Sequence, residues 1–124
     1  MTNIEKNLIE GLIQIHDSYQ ILKQLRDTPG DLEIIKNELT KINGLLQILV
    51  DNLKNIDNSS DKYVKLLSAV KFYLENYSFE REIETISMLY SNDTNRLKNI
   101  RISILDALQD KKLMEKVESI IAYT

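Results

Sequence analysis

DLEIIKNELTKINGLLQILVDNLKNI, residues 31–56, is the stretch that decides the fold. Its apolar residues fall at Leu32, Ile35, Leu39, Ile42, Leu46, Leu49, Leu53 and Ile56, in steps of 3, 4, 3, 4, 3, 4 and 3. Alternating threes and fours keep one stripe on one side of an α-helix. Ile34, Leu45 and Ile48 flank that stripe, and Glu33, Lys36, Asn37, Thr40, Gln47, Asp51 and Lys54 form the water face. A two-stranded zipper needs only a narrow apolar line. The broader face predicts the central helix of a bundle, touching several neighbours. Gly44 falls on the polar side, where it costs about 1 kcal/mol relative to alanine.

Just upstream, Thr28-Pro29-Gly30-Asp31 marks a boundary. Thr28 suits the N-cap, Pro29 the first helical position, and Asp31 the place where a capping box wants an acid. So short a connection predicts an antiparallel hairpin with a first helix over residues 3–27. The stripe of that helix is Ile4, Leu8, Leu12, Ile15, Tyr19 and Leu22, with Leu25 closing the last turn. Ile9, Ile13 and His16 lie on a second strip, roughly 100° or more around it.

Downstream, Asp57-Asn58-Ser59-Ser60-Asp61 punctuates the chain again, with Asn58 or Ser59 as cap. A third helix is expected to about Tyr77. Tyr63, Leu67, Val70, Leu74 and Tyr77 share one face, Leu66 and Tyr73 sit beside it, and Phe72 lies opposite. Ser78 caps a fourth helix with the stripe Phe79, Ile83, Ile86 and Tyr90. After Ser91-Asn92-Asp93-Thr94 comes a fifth, with the stripe Leu97, Ile100, Ile104 and Leu108. Leu113, Val117, Ile120 and Ile121 are out of phase with it, so a kink is expected at residues 109–112, or a break with Asp110 capping a short sixth helix.

The expected fold is all-α: one compact antiparallel bundle over residues 1–124, with four to five main helices and a short C-terminal one. A chain of 124 residues fits one domain and can bury a core unaided. The absence of cysteine excludes a disulfide scaffold, a thiolate metal site and a cysteine nucleophile. It fits a reducing compartment, and the cytoplasm is the expected location. No long uncharged apolar run spans a membrane, and Glu5 and Lys6 interrupt any signal-peptide core. The formal net charge of −3 does not advertise a nucleic-acid binder. Residues 78–95 carry Glu80, Glu82, Glu84 and Asp93 against Arg81, whereas 96–124 are net basic. Such neighbours are expected to match each other across the fold.

Candidate chemistry is sparse. His16 is the only histidine, so no catalytic triad assembles within one chain. A di-metal carboxylate bundle needs Glu three residues before His, and Ile13 stands there. Glu80, Glu82 and Glu84 fan around their helix and read as a solvated face. No acid sits on a stripe of the first four helices, so no buried carboxylate is expected. Arg96, Lys98 and Arg101, then Lys111, Lys112 and Lys116, lack interleaved aromatics, and each glycine stands alone. No enzyme, metal, cofactor or small-molecule substrate is expected. The tyrosines at core spacing are expected to reach the rim with their hydroxyls. Ile9, Ile13, His16 and Phe72 are what four packed helices do not obviously cover, and they form the candidate partner surface.

Gly11-Leu12-Ile13-Gln14-Ile15, Tyr19-Gln20-Ile21-Leu22, Asp27-Thr28-Pro29-Gly30-Asp31-Leu32, Asn37-Glu38-Leu39 and Leu45-Leu46-Gln47-Ile48-Leu49 together form a cadence. It resembles the HeLo-like N-terminal helical domains of fungal NOD-like receptors. Those open on a Gly-containing apolar helix, turn at an Asp-Ala-Pro-like step and continue into an Asn-Glu-Leu helix. The likeness covers about residues 8–55, and Phe79-Glu80, Arg96-Leu97 and Ala107-Leu108 are compatible with the later helices. It implies a helical bundle that signals by oligomerisation, with membrane-directed cell death in some relatives. Glu5, Lys6 and Glu10 make the first helix more polar than a membrane-active member's. Small bacterial immunity proteins are broadly similar in size and pattern, without a shared motif. The expected function is therefore a non-enzymatic interaction or regulatory module that binds a protein partner or itself. Neutralisation of a partner toxin and peripheral membrane action are the alternatives.

Overall fold

Thr28 and Asp31 close the first turn of the hairpin on themselves. The Asp31 carboxylate accepts the Thr28 backbone N–H at 3.0 Å, and the Asp31 N–H donates to the Thr28 carbonyl at 2.9 Å. This is the expected capping arm, and it satisfies groups that a helix start leaves orphaned. The computed structural model describes residues 3–28, 30–55, 61–77, 81–82, 84–85 and 94–122. Among them run α1 (Asn3–Gln24), α2 (Asp31–Asn55), α3 (Asp61–Asn76), α4 (Thr94–Gln109), a 3₁₀ turn (Asp110–Lys112) and α5 (Leu113–Ala122), with no strand. Among the described residues the architecture is an all-α compact bundle of four main helices and a short C-terminal one.

The first-helix stripe is where the spacing puts it: Leu8, Leu12, Ile15, Tyr19 and Leu22 are all buried. The Ile4 side chain is not among those described. The helix stops at Gln24, three residues short of its expected end, because Asp27 takes a left-handed φ of 61°. Leu25 still packs on the core from outside the helix.

On α2, Ile35, Leu39, Ile42, Leu46, Leu49 and Leu53 are buried and Leu32 is half-buried; Ile56 lies outside the described residues. The flanks differ from expectation. Ile34 and Ile48 are exposed, Ile48 at 58 %, and Leu45 is half-buried. The stripe widens on its other side, where Asn43 and Val50 are buried. The physical reason is position: α1, α3 and α4 all pack against α2 and approach from the stripe and the Val50 side. The central role of α2 therefore holds, but through a different flank.

The face of α3 is also rotated. Tyr63, Leu66, Ala69, Val70 and Tyr73 are buried, while Leu67, Leu74 and Tyr77 are only half-buried. The 3₁₀ turn and α5 pack on the Ala69 and Tyr73 side and pull the centre of the face round. The helix-four stripe Phe79, Ile83, Ile86 and Tyr90, and the caps at 58–59, 78 and 91–93, lie outside the described residues. Arg81, Glu82, Glu84 and Thr85 are helical.

The phase slip after Leu108 is a break. Lys111 and Lys112 take left-handed φ values of 54° and 56°, and a new helix starts at Leu113. Asp110 does not cap that helix; its carboxylate accepts the Lys111 N–H at 2.9 Å. The break turns Leu113, Met114, Val117 and Ile120 inward, and all four are buried. α5 thus lies against both α1 and α3 and closes one contiguous core.

Candidate functional site

The four candidate partner residues fall on two separate places, on opposite flanks of α5. Ile9 is half-buried against the core and Ile13 is 41 % exposed. His16 is half-exposed, with Nε2 3.4 Å from the Glu118 carboxylate of α5 and 3.4 Å from Gln20 Nε2. α5 therefore reaches the His16 end of that strip, while Ile13, between Ile9 and His16, stays exposed. Phe72 lies beyond the other flank, half-buried, with the Lys111 ammonium 4.8 Å from its ring centre.

That second place is a groove, which the sequence does not announce. Between α3 and α5, one recess of about 270 Å³ is lined by Asp61, Lys62, Lys65, Lys112, Glu115, Lys116, Ser119 and Ile120. A second, of about 420 Å³, is lined by Lys65, Ser68, Ala69, Phe72, Lys111 and Lys116. Lys65 and Lys116 border both, so the recesses form one groove. On α3, Lys62, Lys65, Ala69 and Phe72 recur at threes and fours and share one face. The far bank comes from the break and the start of α5. Lysines 45 or more residues apart in sequence become neighbours, which no local pattern signals. The only local hint was Phe72, out of register with its own stripe.

Electrostatics sharpen the groove. Among the described residues the ion pairs are His16 with Glu118, Lys65 with Asp61 at 2.9 Å, and Arg101 with Asp27. Lys62, Lys111, Lys112 and Lys116 have no carboxylate partner in that set. Lys116 donates to the Lys111 carbonyl at 2.6 Å. The Asp61 carboxylate holds the Lys65 ammonium above its ordinary range.

One expectation about charge is corrected elsewhere: Asp31 is a buried carboxylate where none is expected. Arg101 is no surface cation: its Nε and Nη2 grip both Asp27 oxygens at 2.7 and 3.1 Å, and Nη1 donates to the Leu22 carbonyl at 3.3 Å. Hydrogen bonding to Asp27 holds the guanidinium above its ordinary range, with Asp31 adding to the field. The basic arm 96–124 thus reaches the α1–α2 turn at Arg101, while Arg96 lines a recess with Glu82 and Thr85 of the acidic segment, most of which lies outside the described residues. The Asp31 carboxylate is satisfied by its cap.

The acidic trio is not a uniform solvated face either. Glu80 is outside the described residues and Glu84 is exposed, but burial pushes the Glu82 carboxyl up. Tyr73 and Tyr77 stack with ring centres 5.2 Å apart, and both hydroxyls are buried without a hydrogen-bond partner among the described residues. Burial, then the Glu82 charge, pushes both phenols up. The Tyr77 hydroxyl does not reach the rim. Tyr19 does find a partner: Gln109 donates to its hydroxyl and ties α1 to the end of α4.

Fold and site together define a helical bundle with a lysine-lined interhelical groove and a separate isoleucine strip. Among the described residues no helix is long and apolar enough to cross a membrane. Compared with family models, curated proteins and solved structures, the chain matches none.

Proposed function

We propose that the protein is a non-enzymatic helical interaction module, acting in the cytoplasm on a protein partner or on a second copy of itself. The observation that carries this reading is Ile13. It stays 41 % exposed beside half-buried Ile9, on a helix whose opposite face fills the core. An apolar side chain held in water at the rim of a packed face gains free energy when a partner covers it. Oligomeric signalling, as the HeLo-like resemblance implies, and neutralisation of a partner toxin are two forms of this one function.

Size-exclusion chromatography with light scattering, together with pull-down from native extract, tests the reading. The expected result is self-association or a captured partner, lost in Ile13→Asp while the circular dichroism spectrum is unchanged. A monomer at every concentration that captures nothing overturns it. Protection on co-expression with a toxin separates the neutralising form from the oligomeric one.

A further inference from the structure

We infer that the groove between α3 and α5 is the docking site for an acidic, apolar-anchored segment of a partner protein. The inference rests on the interaction-module reading and names the chemistry of the partner. Three observations carry it. Five lysines (Lys62, Lys65, Lys111, Lys112 and Lys116) line one groove from three elements, α3, the 3₁₀ turn and α5; they outnumber its two carboxylates, Asp61 and Glu115, and only Lys65 has a carboxylate partner among the described residues. Like charges so gathered repel, and a ligand that supplies carboxylates relieves that repulsion. The floor is apolar, made by Ala69, Phe72 and Ile120. Finally, the bank that bears Lys111 and Lys112 holds two successive non-glycine residues in left-handed backbone. Each such residue costs about 1 kcal/mol or more, and backbone outliers of this kind gather at ligand clamps.

The dimensions suit a short segment. From Asp61 to Phe72 the α3 bank runs roughly 16 Å at the helical rise. That length accepts a few extended residues or about three helical turns. Glutamates of the segment face the two rows of lysine, and an apolar side chain displaces the Lys111 ammonium from the Phe72 ring. A peptide fits better than a nucleic acid. The groove offers point charges and no arginine fork, its aromatic face is covered by Lys111, and the chain as a whole is acidic at −3.

The test is fluorescence anisotropy with a labelled peptide of glutamates around a central Leu-Phe pair, at low and at physiological salt. Wild type is expected to bind it, more weakly as salt rises. Lys62→Glu with Lys112→Glu is expected to lower the affinity about tenfold or more. Lys41→Glu with Lys98→Glu changes net charge equally at exposed positions outside the groove and is expected to stay within about twofold. Amide shifts on titration are expected to cluster in residues 61–72 and 110–120. No peptide binding, equal loss in both double variants, shifts centred on residues 9–16, or tighter binding of single-stranded DNA than of the peptide would each overturn the inference. So would a wild-type dimer that the groove variant dissociates, which assigns the groove to a second copy. Native-extract pull-down separates the two failures. If the groove variant still captures the wild-type partner, the module reading stands and the groove assignment falls; if neither captures anything and both are monomers, the module reading itself falls.

Discussion

Arg101 shows how one side chain can secure a turn. It is 14 % exposed, as is Asp27, and its fork binds both Asp27 oxygens and the α1 carbonyl of Leu22. A bidentate pair this sheltered is stronger than a surface ion pair, and removing one partner strands the other charge. Arg101→Met is expected to lower stability by about 2–4 kcal/mol, read as a lower denaturant midpoint, and Arg101→Lys is expected to recover only part of it. Tyr77 argues the opposite case. Its hydroxyl is buried without a partner among the described residues, so Tyr77→Phe keeps the stack on Tyr73 and removes a cost. We expect a gain of about 1 kcal/mol at pH 7. The pH dependence has a fixed sign. The folded phenol titrates above its unfolded value of about 10, so above that pH the unfolded chain sheds a proton that the native chain keeps. Stability is then lost as pH rises. Thermal melts at pH 7 and in the alkaline range are expected to show wild type falling further than Tyr77→Phe. Neither residue was legible beforehand: Arg101 looks like any helix-surface cation, and a tyrosine at core spacing does not say whether its hydroxyl clears the rim.

Elements were far more legible than their faces. Period alone gives α1, α2 and α4 their stripes, and Thr28 with Asp31 gives the turn, because these signals are local. The break also follows from local counting. Five residues separate Leu108 from Leu113, about 140° on a straight helix, so one continuous helix cannot bury both stripes. What the period does not fix is how wide a stripe becomes and toward which flank, since that depends on where neighbours land. Hence Ile48 is exposed while Val50 is buried, and α3 centres on Leu66 and Tyr73. The glycines follow the same logic. A Cβ built at Gly11 or at Gly44 meets nothing within 4 Å, and both lie inside helices. With no close approach to protect, each glycine only costs backbone entropy. Gly11→Ala and Gly44→Ala are each expected to raise stability by about 1 kcal/mol. They sit on different helices, and the double variant is expected to be additive. A loss at Gly44 in the presence of the native partner alone would mark that face as an interface.

At the scale of the whole molecule, α5 decides whether the chain is one cooperative unit or a body built on α1–α4 with an appendage. Its ten residues place Leu113, Met114, Val117 and Ile120 in the same core cluster as α1, α2, α3 and α4, each at 1 % exposure or less. Four such side chains contribute roughly 1.5–3 kcal/mol each, which together rivals the entire stability of an ordinary domain, about 5–15 kcal/mol. Removing the helix also uncovers apolar surface on α1 and α3, the two elements it lies between. The groove disappears with it, because one bank is made by the break and the first turns of α5. This explains why the candidate site was the least legible feature. Its chemistry is split between helices far apart in sequence, and only the closing of the core by α5 brings them together. A chain of residues 1–109 is therefore expected to lose cooperative unfolding, to disperse poorly in amide NMR spectra and to bind a hydrophobic dye, while keeping part of its helical circular dichroism. Val117→Asp, which leaves the length unchanged and buries an unpaired charge, is expected to behave the same way. A sharply melting 1–109 chain would show that α5 is docked on a finished core, and would place the origin of cooperativity in the hairpin of α1 and α2.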